Sequence, residues 1–399
     1  MKIADVLIIK LTSSKKRPAF PPGDRVVNPA DIYAEPAEPN DPTGEARGGD
    51  KPIEALYVEI LSDAGVSGIF GPIQSEQAFV IEHFLKPFLL GKDPLATERL
   101  HDEMLRMNRH GRSGFFLMGV SVVDCALWDL KGKAWDQPVY RLLGGPTRDA
   151  VPAYASMLGH SIRPDKAAEK AREMKEAGYP AQKWFFRFGP ADGQQGRIWN
   201  MEMAEAVRDA VGPFYPLMFD AFSGWTLPYA MEMAKALAPL NPTWLEEPMP
   251  PERIGAFRKL RENSGIPIAT GEHVYTRWQV KELLEGQAVD YIQCDPDWTG
   301  GISELTKIAA LCSSYETPLV AHGHSLLPAL HVAASQSPAT VPYVEYLVQW
   351  QEVKQLMHTP VSRPENGKIS LPELPGLGIV INMENIASRE EAKFKGGSD

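Results

Sequence analysis

The sequence predicts a parallel α/β barrel of the (β/α)7β type, preceded by an α+β capping domain that the C-terminal segment completes. Two observations carry this. Between Phe219 and Tyr346, short apolar runs each end in acid or imidazole: Asp220 ends PLMFD, Glu246 and Glu247 end TWLEE, Glu272 and His273 end IPIATGEH, Asp295 ends VDYIQCD, His322 and His324 end TPLVAHGH, and Glu345 sits in PYVEY. The steps from Asp220 to Glu246, Glu272, Asp295, His322 and Glu345 are 26, 26, 23, 27 and 23 residues. Such a step accommodates one strand, one helix and two short loops, the crossover that parallel neighbours require.

The elements follow in order. Residues 2–12 alternate enough for a strand, after which seven prolines between 13 and 50 break any periodicity. A loop of that length is either disordered or a lid, and its Lys16, Arg17 and Arg25 would meet an anion if it folds over the barrel mouth. IEALYVEILS (53–62), the Asp63-Ala64-Gly65 turn and VSGIFGP form a strand pair. Helices are predicted over 74–90 and 93–108, then a basic turn 108–112, then the apolar helix GVSVVDCALWDLKGKAW. These elements assign 1–135 to the cap, with its loop 13–50.

Eight barrel strands are expected within 136–350, from VPAYASM (151–157) and AQKWFF (181–186) to Tyr346. Helices at 164–177, 197–211, 227–239, 252–263, 276–286, 301–316 and 326–336 separate them, and no clear helix follows the last strand. Within 351–399, GKISLPELPGLGIVIN (367–382) reads as a hairpin-like return to the cap, and the residues after it as frayed.

The chain has 399 residues, 41 Lys and Arg against 51 Asp and Glu, and a net charge of -10. That balance argues against nucleic acid and anionic membrane surfaces as partners. An anionic substrate would therefore need local positive charge. Three cysteines without paired spacing suit a reducing cytoplasm. Neither a signal peptide nor a membrane-length apolar run is evident.

A single acid at a strand end is most often a helix cap or a salt-bridge partner, and a lone His is usually structural. Five such residues on successive strands are harder to explain that way, because the C-terminal ends of barrel strands converge on one face. Three carboxylates on consecutive strands, Asp220, Glu246 and Glu272, make an oxygen site suited to a hard divalent ion such as magnesium. Asp295 and His322 follow on the next two strands.

With ALWDLKGK, LLGG at 142–145, LEEP at 245–248, TGEH at 270–273 and QCDPDWTGG at 293–301, the chain resembles the enolase superfamily, in its mandelate racemase-like branch of acid-sugar dehydratases. GEHVYTRW, DWTGG and FGPADG at 188–193 resemble the L-rhamnonate dehydratase-like sub-branch most. The resemblance implies Asp220, Glu246 and Glu272 as magnesium ligands, and Glu247 as a residue behind them. It implies His322 as base, oriented by Asp295, and Glu345 as an acid bonded to a substrate oxygen. It also implies a homo-oligomer. Many branch members carry Lys-x-Lys on the second strand, with the second Lys a base; here the run is Lys183-Trp184-Phe185. Phe185 thus removes one base.

The reaction so implied is loss of the proton next to the carboxylate of a small acid sugar, followed by loss of the 3-hydroxyl. Lys183 or Arg187 would contact the substrate carboxylate, Lys183 being the other candidate base, and His273 or His324 would assist. A racemase or epimerase on the same scaffold, and a non-catalytic sugar-acid-binding barrel, are the alternatives.

Overall fold

A computed structural model describes residues 1–16, 26–33 and 52–394. The cap is built on an antiparallel sheet of β1 (Ile3–Lys16), β2 (Pro52–Ser62) and β3 (Ser67–Ile73). Against it lies the helix Gly114–Ala134, with Leu117 to Leu127 buried without a break. A helix apolar on all sides belongs inside a protein, and this one packs on β3 and on the barrel helix Gly301–Ser314. The segment expected as one helix over 74–90 runs through three stretches, with a π turn at Ile81–Leu85.

The barrel strands are β4 (Ala150–Ser156), β5 (Gln182–Phe185), β6 (Leu217–Asp220), β7 (Trp244–Glu246), β8 (Ile268–Thr270), β9 (Tyr291–Ile292) and β10 (Val344–Leu347). Each pairs in parallel with the next from β4 to β9, and β10 pairs back onto β4. The eighth expected strand is reduced to residues 319–321, bridged to Ile292 on one side and to Val344 on the other. Short strands suffice because inward residues need only two layers. The lower is apolar, with Tyr154, Ala181, Met218, Trp244, Ala269 and Val320. Two residues further along, where the strand period returns a side chain to the same face, stand Ser156, Lys183, Asp220, Glu246 and His322. Alternation alone therefore sets a charged layer on an apolar floor.

Three expectations need correction. A helix, Val348–Lys354, does follow the last barrel strand. The 367–382 segment returns to the cap on its helix and not on its sheet: Leu377 N donates to Asp129 Oδ1 at 2.8 Å, while β12 (Lys368–Ser370) pairs antiparallel with the start of β4, and β13 (Val380–Ile381) pairs with β11 (His358–Thr359). The cap sheet itself is completed later, by β14 (Ile386–Glu391), in residues that read as frayed. β14 is almost wholly exposed at the sheet edge, so backbone pairing holds it and no apolar alternation betrays it. Third, the first residues of the expected loop belong to β1, which runs to Lys16.

Much of that loop, including Arg17 and Arg25, lies outside the described residues. The part at 26–33 docks on the barrel mouth: Val27 N donates to Phe186 O at 3.0 Å. Asn28 caps the short turn Pro29–Ile32, its Oδ1 accepting from Ala30 N at 2.9 Å. A Cβ at Gly224 would stand 2.6 Å from the Val27 side chain, so glycine is what admits this contact.

Candidate active site

At the C-terminal ends of β5 to β10, Lys183, Asp220, Glu246 and Glu345 meet as one set, and Glu272, Asp295 and His322 as another. Asp220 and Glu246 lie opposite each other on β6 and β7. Lys183, on β5, is fully buried among acids: its ammonium meets Glu246, Asp220 at 3.2 Å and Glu345 at 3.0 Å. Burial by itself lowers an ammonium pKa, but Glu246 and Glu345 outweigh it and hold Lys183 well above its usual value. Lys183 is thus a charged counter-ion, the wrong protonation state for a base.

The acids it serves remain crowded. Burial, with neighbouring acids, pushes Asp220 up to about 6, Glu246 up to about 8 and Glu272 up to about 7. Three carboxyls pushed above their ordinary range, each offering hard oxygen, form a donor set that fits a divalent cation. Further ligands orient them. Trp244 Nε1 and Gln293 Nε2 donate to Glu246 Oε2 at 2.8 and 2.6 Å, and Phe222 N donates to Asp220 Oδ1 at 2.8 Å.

Among the described residues, ligand atoms of Glu247, Glu272 and His273 lie within 4.8 Å of one another, as do those of Asp295, Asp297 and His324. Glu247 already accepts from Ser223 Oγ and Thr270 Oγ1, each at 2.9 Å, and contacts His273 Nδ1 at 2.9 Å. These contacts hold it as an outer brace. Burial raises its carboxyl, but His273, Ser223 and Thr270 bring it below the usual range. Glu247, Phe222 and Ser223 all take positive φ (37°, 49° and 56°), a conformation that costs roughly 1–3 kcal/mol per residue and clusters at working sites. Ser223 N bonding to Glu247 O at 2.7 Å helps to hold it.

Across the mouth, His322 Nδ1 lies 2.9 Å from Asp295 Oδ2, and Nε2 lies 3.2 Å from Glu272 Oε2. Asp295 is buried; burial and Asp297 push its carboxyl up, and an imidazolium at hydrogen-bond distance acts in the opposite sense. Glu345 sits between the halves of the site. Its Oε2 accepts from Gly323 N at 2.8 Å. Burial raises its carboxyl, but Lys183 and His322 overcome that and hold it down at about 2.

Of the other expected residues, His273 is half exposed at the rim; burial lowers its pKa, but Glu247 raises it to about 10. Arg187 is half-buried, its guanidinium 5.3 Å over the Phe188 ring. His324 pairs with Asp297 at 3.1 Å. Phe185 fills the second-lysine position, buried edge-on against Phe222.

The reading by strand ends misses Asp297, Trp298, Gln293, Ser223 and Thr270. The signal for Gln293 and Asp297 lies in QCDPD, where they stand two residues either side of Asp295. Trp298, with ring centroids 4.9 Å from both His322 and His324, stands in the DWTGG motif, which by itself assigns it no role.

A capping sheet joined to a barrel with an acid-rich mouth and a His–Asp pair defines a class, and the chain belongs to it. Residues 31–144 match the mandelate racemase / muconate lactonizing enzyme N-terminal domain, and residues 166–385 the enolase C-terminal domain-like family. The chain is 35% identical over 344 residues to the L-rhamnonate dehydratase of Saccharopolyspora erythraea, covering 83% of this chain and 84% of that one. The crystal structure of L-rhamnonate dehydratase from Gibberella zeae superposes with a TM-score of 0.82 at 30% identity, over 96% of this chain and 94% of that chain. A Gibberella zeae rhamnonate dehydratase structure complexed with Mg gives 0.80 at 28% identity, with the same coverage of 96% and 94%.

Proposed function

We propose that the chain is a magnesium-dependent hydro-lyase that dehydrates an aldonic acid to a 2-keto-3-deoxy acid. The observation that carries this is His322: Nδ1 is tied to Asp295, while Nε2 faces Glu272 at 3.2 Å. The base and the carboxylate cluster thus share one edge. The similarity to L-rhamnonate dehydratases supports the substrate class.

Asp220, Glu246 and Glu272 would hold the magnesium. When bound, it supplies positive charge against the charge that develops on a substrate carboxylate as the adjacent C–H is broken. The remaining chemistry belongs to side chains. With Nδ1–H donating to Asp295, His322 presents its Nε2 lone pair and takes the 2-proton. Asp295 stabilises the resulting imidazolium. That imidazolium returns the proton to the departing 3-hydroxyl, which leaves as water, and the enol formed tautomerises to the 2-keto acid. Glu345 is ionised and accepts a hydrogen bond from a substrate hydroxyl. Phe185 leaves the opposite face without a base, which favours elimination over racemisation.

The test is 2-keto acid release from a panel of five- and six-carbon aldonic acids, with and without magnesium. Release from at least one acid, abolished by chelator and restored by magnesium, is expected. Magnesium-dependent epimerisation without keto-acid release would overturn the reading.

A further inference from the structure

The turn after β9 carries Asp295 and Asp297, and the turn after 319–321 carries His322 and His324. They pair in parallel: His322 Nδ1 with Asp295 at 2.9 Å, His324 Nδ1 with Asp297 at 3.1 Å. Only the first pair takes part in the chemistry above, yet Asp297 is as fully buried as Asp295. Burying a second carboxylate beside the first is costly unless each is paired. The structure meets that requirement, since His324 faces Asp297 and Asp297 N donates to Asp295 Oδ1 at 3.1 Å.

The two pairs meet at Trp298. Its indole is tilted against His322 and His324, centroids 4.9 Å from each, and stacked on His273 at 5.8 Å. Its Nε1 is buried without a hydrogen-bond partner. A phenyl ring would avoid that orphan donor, so the breadth of the indole is what this position retains.

We infer that Trp298 and the Asp297–His324 pair form a positioning device for the His322 imidazole; the inference rests on His322 being the base. One hydrogen bond to Asp295 fixes Nδ1 but leaves the ring free to turn about that bond. A flat wall at stacking distance removes this freedom, and the second pair holds the wall. The device is anchored at both ends. Gln77 of the cap donates to Asp297 O at 3.4 Å, and Lys354 donates to His324 O at 2.9 Å. Between the histidines, a Cβ at Gly323 would lie 2.8 Å from Glu345 Cγ, so glycine lets the turn close over that acid.

The experiment compares Trp298→Phe, Trp298→Leu, His324→Gln and His324→Ala in the full chain with magnesium. The aldonate that the panel identifies is the substrate. Trp298→Leu and His324→Ala are expected to lower kcat roughly 10–100-fold, as misplaced reacting groups do. KM and magnesium affinity should stay within about twofold, since binding groups are untouched. Deuterium uptake at C2 from solvent should fall in step with kcat. Trp298→Phe keeps a flat face and His324→Gln keeps a donor to Asp297, so both should recover most of the loss. Unchanged kcat in folded Trp298→Leu overturns the inference. So does a parallel fall in kcat, magnesium affinity and Tm, which marks a mere staple. A readout without substrate separates this from failure of the dehydratase reading. In 15N-histidine-labelled protein, the His322 Nδ1–H signal should be sharp in wild type and broadened in Trp298→Leu. A sharp signal in both overturns the device, whatever the panel gives.

Discussion

The two halves of the site solve the same electrostatic problem in opposite ways. On β6 and β7, Asp220 and Glu246 share Lys183, Glu272 in the turn after β8 faces His322 at 3.2 Å, and all three carboxyls are pushed up. On the other side, each of the two buried aspartates has its own imidazole. The first half is short of positive charge, which in the proposed reading a cation from outside supplies. In the second, burial raises Asp297 but His324 holds it below its usual range, while burial and Asp297 still push Asp295 up. The same acid residues at the same strand position thus come to different ends, according to what stands beside them.

That contrast can be broken at its largest point by His322→Asn. Turnover should fall by about 10³-fold or more, the upper range for a positioned base, while magnesium titration is unchanged. A variant that loses magnesium binding as well would show that the halves are not separate. Lys183→Met tests the deficit half. Removing one partner of a buried charge cluster costs about 3–5 kcal/mol, so the metal-free protein should unfold at markedly lower temperature. Added magnesium should then raise Tm more in the variant than in wild type, because it replaces the missing charge.

The third test is pH. The folded carboxyls sit at about 6, 8 and 7, above their ordinary values. A cation must displace those protons, so magnesium affinity should rise about tenfold or more from pH 6 to 8. Calorimetry in buffers of different ionisation enthalpy should show protons released on binding. Affinity that is flat over this window would mean the trio is already ionised.

How much of this the chain announces follows the same divide. Asp220, Glu246, Asp295, His322 and Glu345 stand out because they end or sit in apolar runs and strand period places them on one face, whereas Glu272, three residues past the inward Ala269, comes to the site through the turn after β8. Asp297 and Trp298 do not, because their roles come from a turn, where no period applies. The helix Val348–Lys354 and the strand β14 were illegible for a related reason. One is too short for a repeat to register, and the other is polar along its length. Phe185 could be read as the loss of a base, but the carboxylates that occupy Lys183 needed three-dimensional neighbours.

The smallest expected effect lies outside both halves, where the cap grips the start of the helix Gly301–Ser314 that follows the Asp295 turn. Asp124, on the helix Gly114–Ala134, accepts from Ser303 N at 2.9 Å and Ser303 Oγ at 2.6 Å. Burial pushes its carboxyl up to about 7. A folded pKa above the ordinary value gives stability that is full below about pH 4 and lost as pH rises through 7. Asp124→Asn has no such titration. Its Tm deficit relative to wild type should therefore shrink from pH 5 to pH 8, by roughly 2–4 °C. A deficit that does not change with pH would place the Asp124 proton elsewhere.

One edge of the cap has a consequence for synthesis. β14 pairs antiparallel with β1, Ile9 opposite Glu391, and Ser13 Oγ donates to the carbonyl of Asn385, 372 positions along the chain. Chains emerge from the ribosome N-terminus first, so one side of β1 waits with its backbone groups unpaired until the whole barrel has been made. An open strand edge is an invitation to other nascent chains. β1 meets that interval with Lys10, Lys15 and Lys16 in its sequence, charges of the kind that keep edges from pairing with one another. The last strand to arrive then closes a site of self-association as well as a sheet.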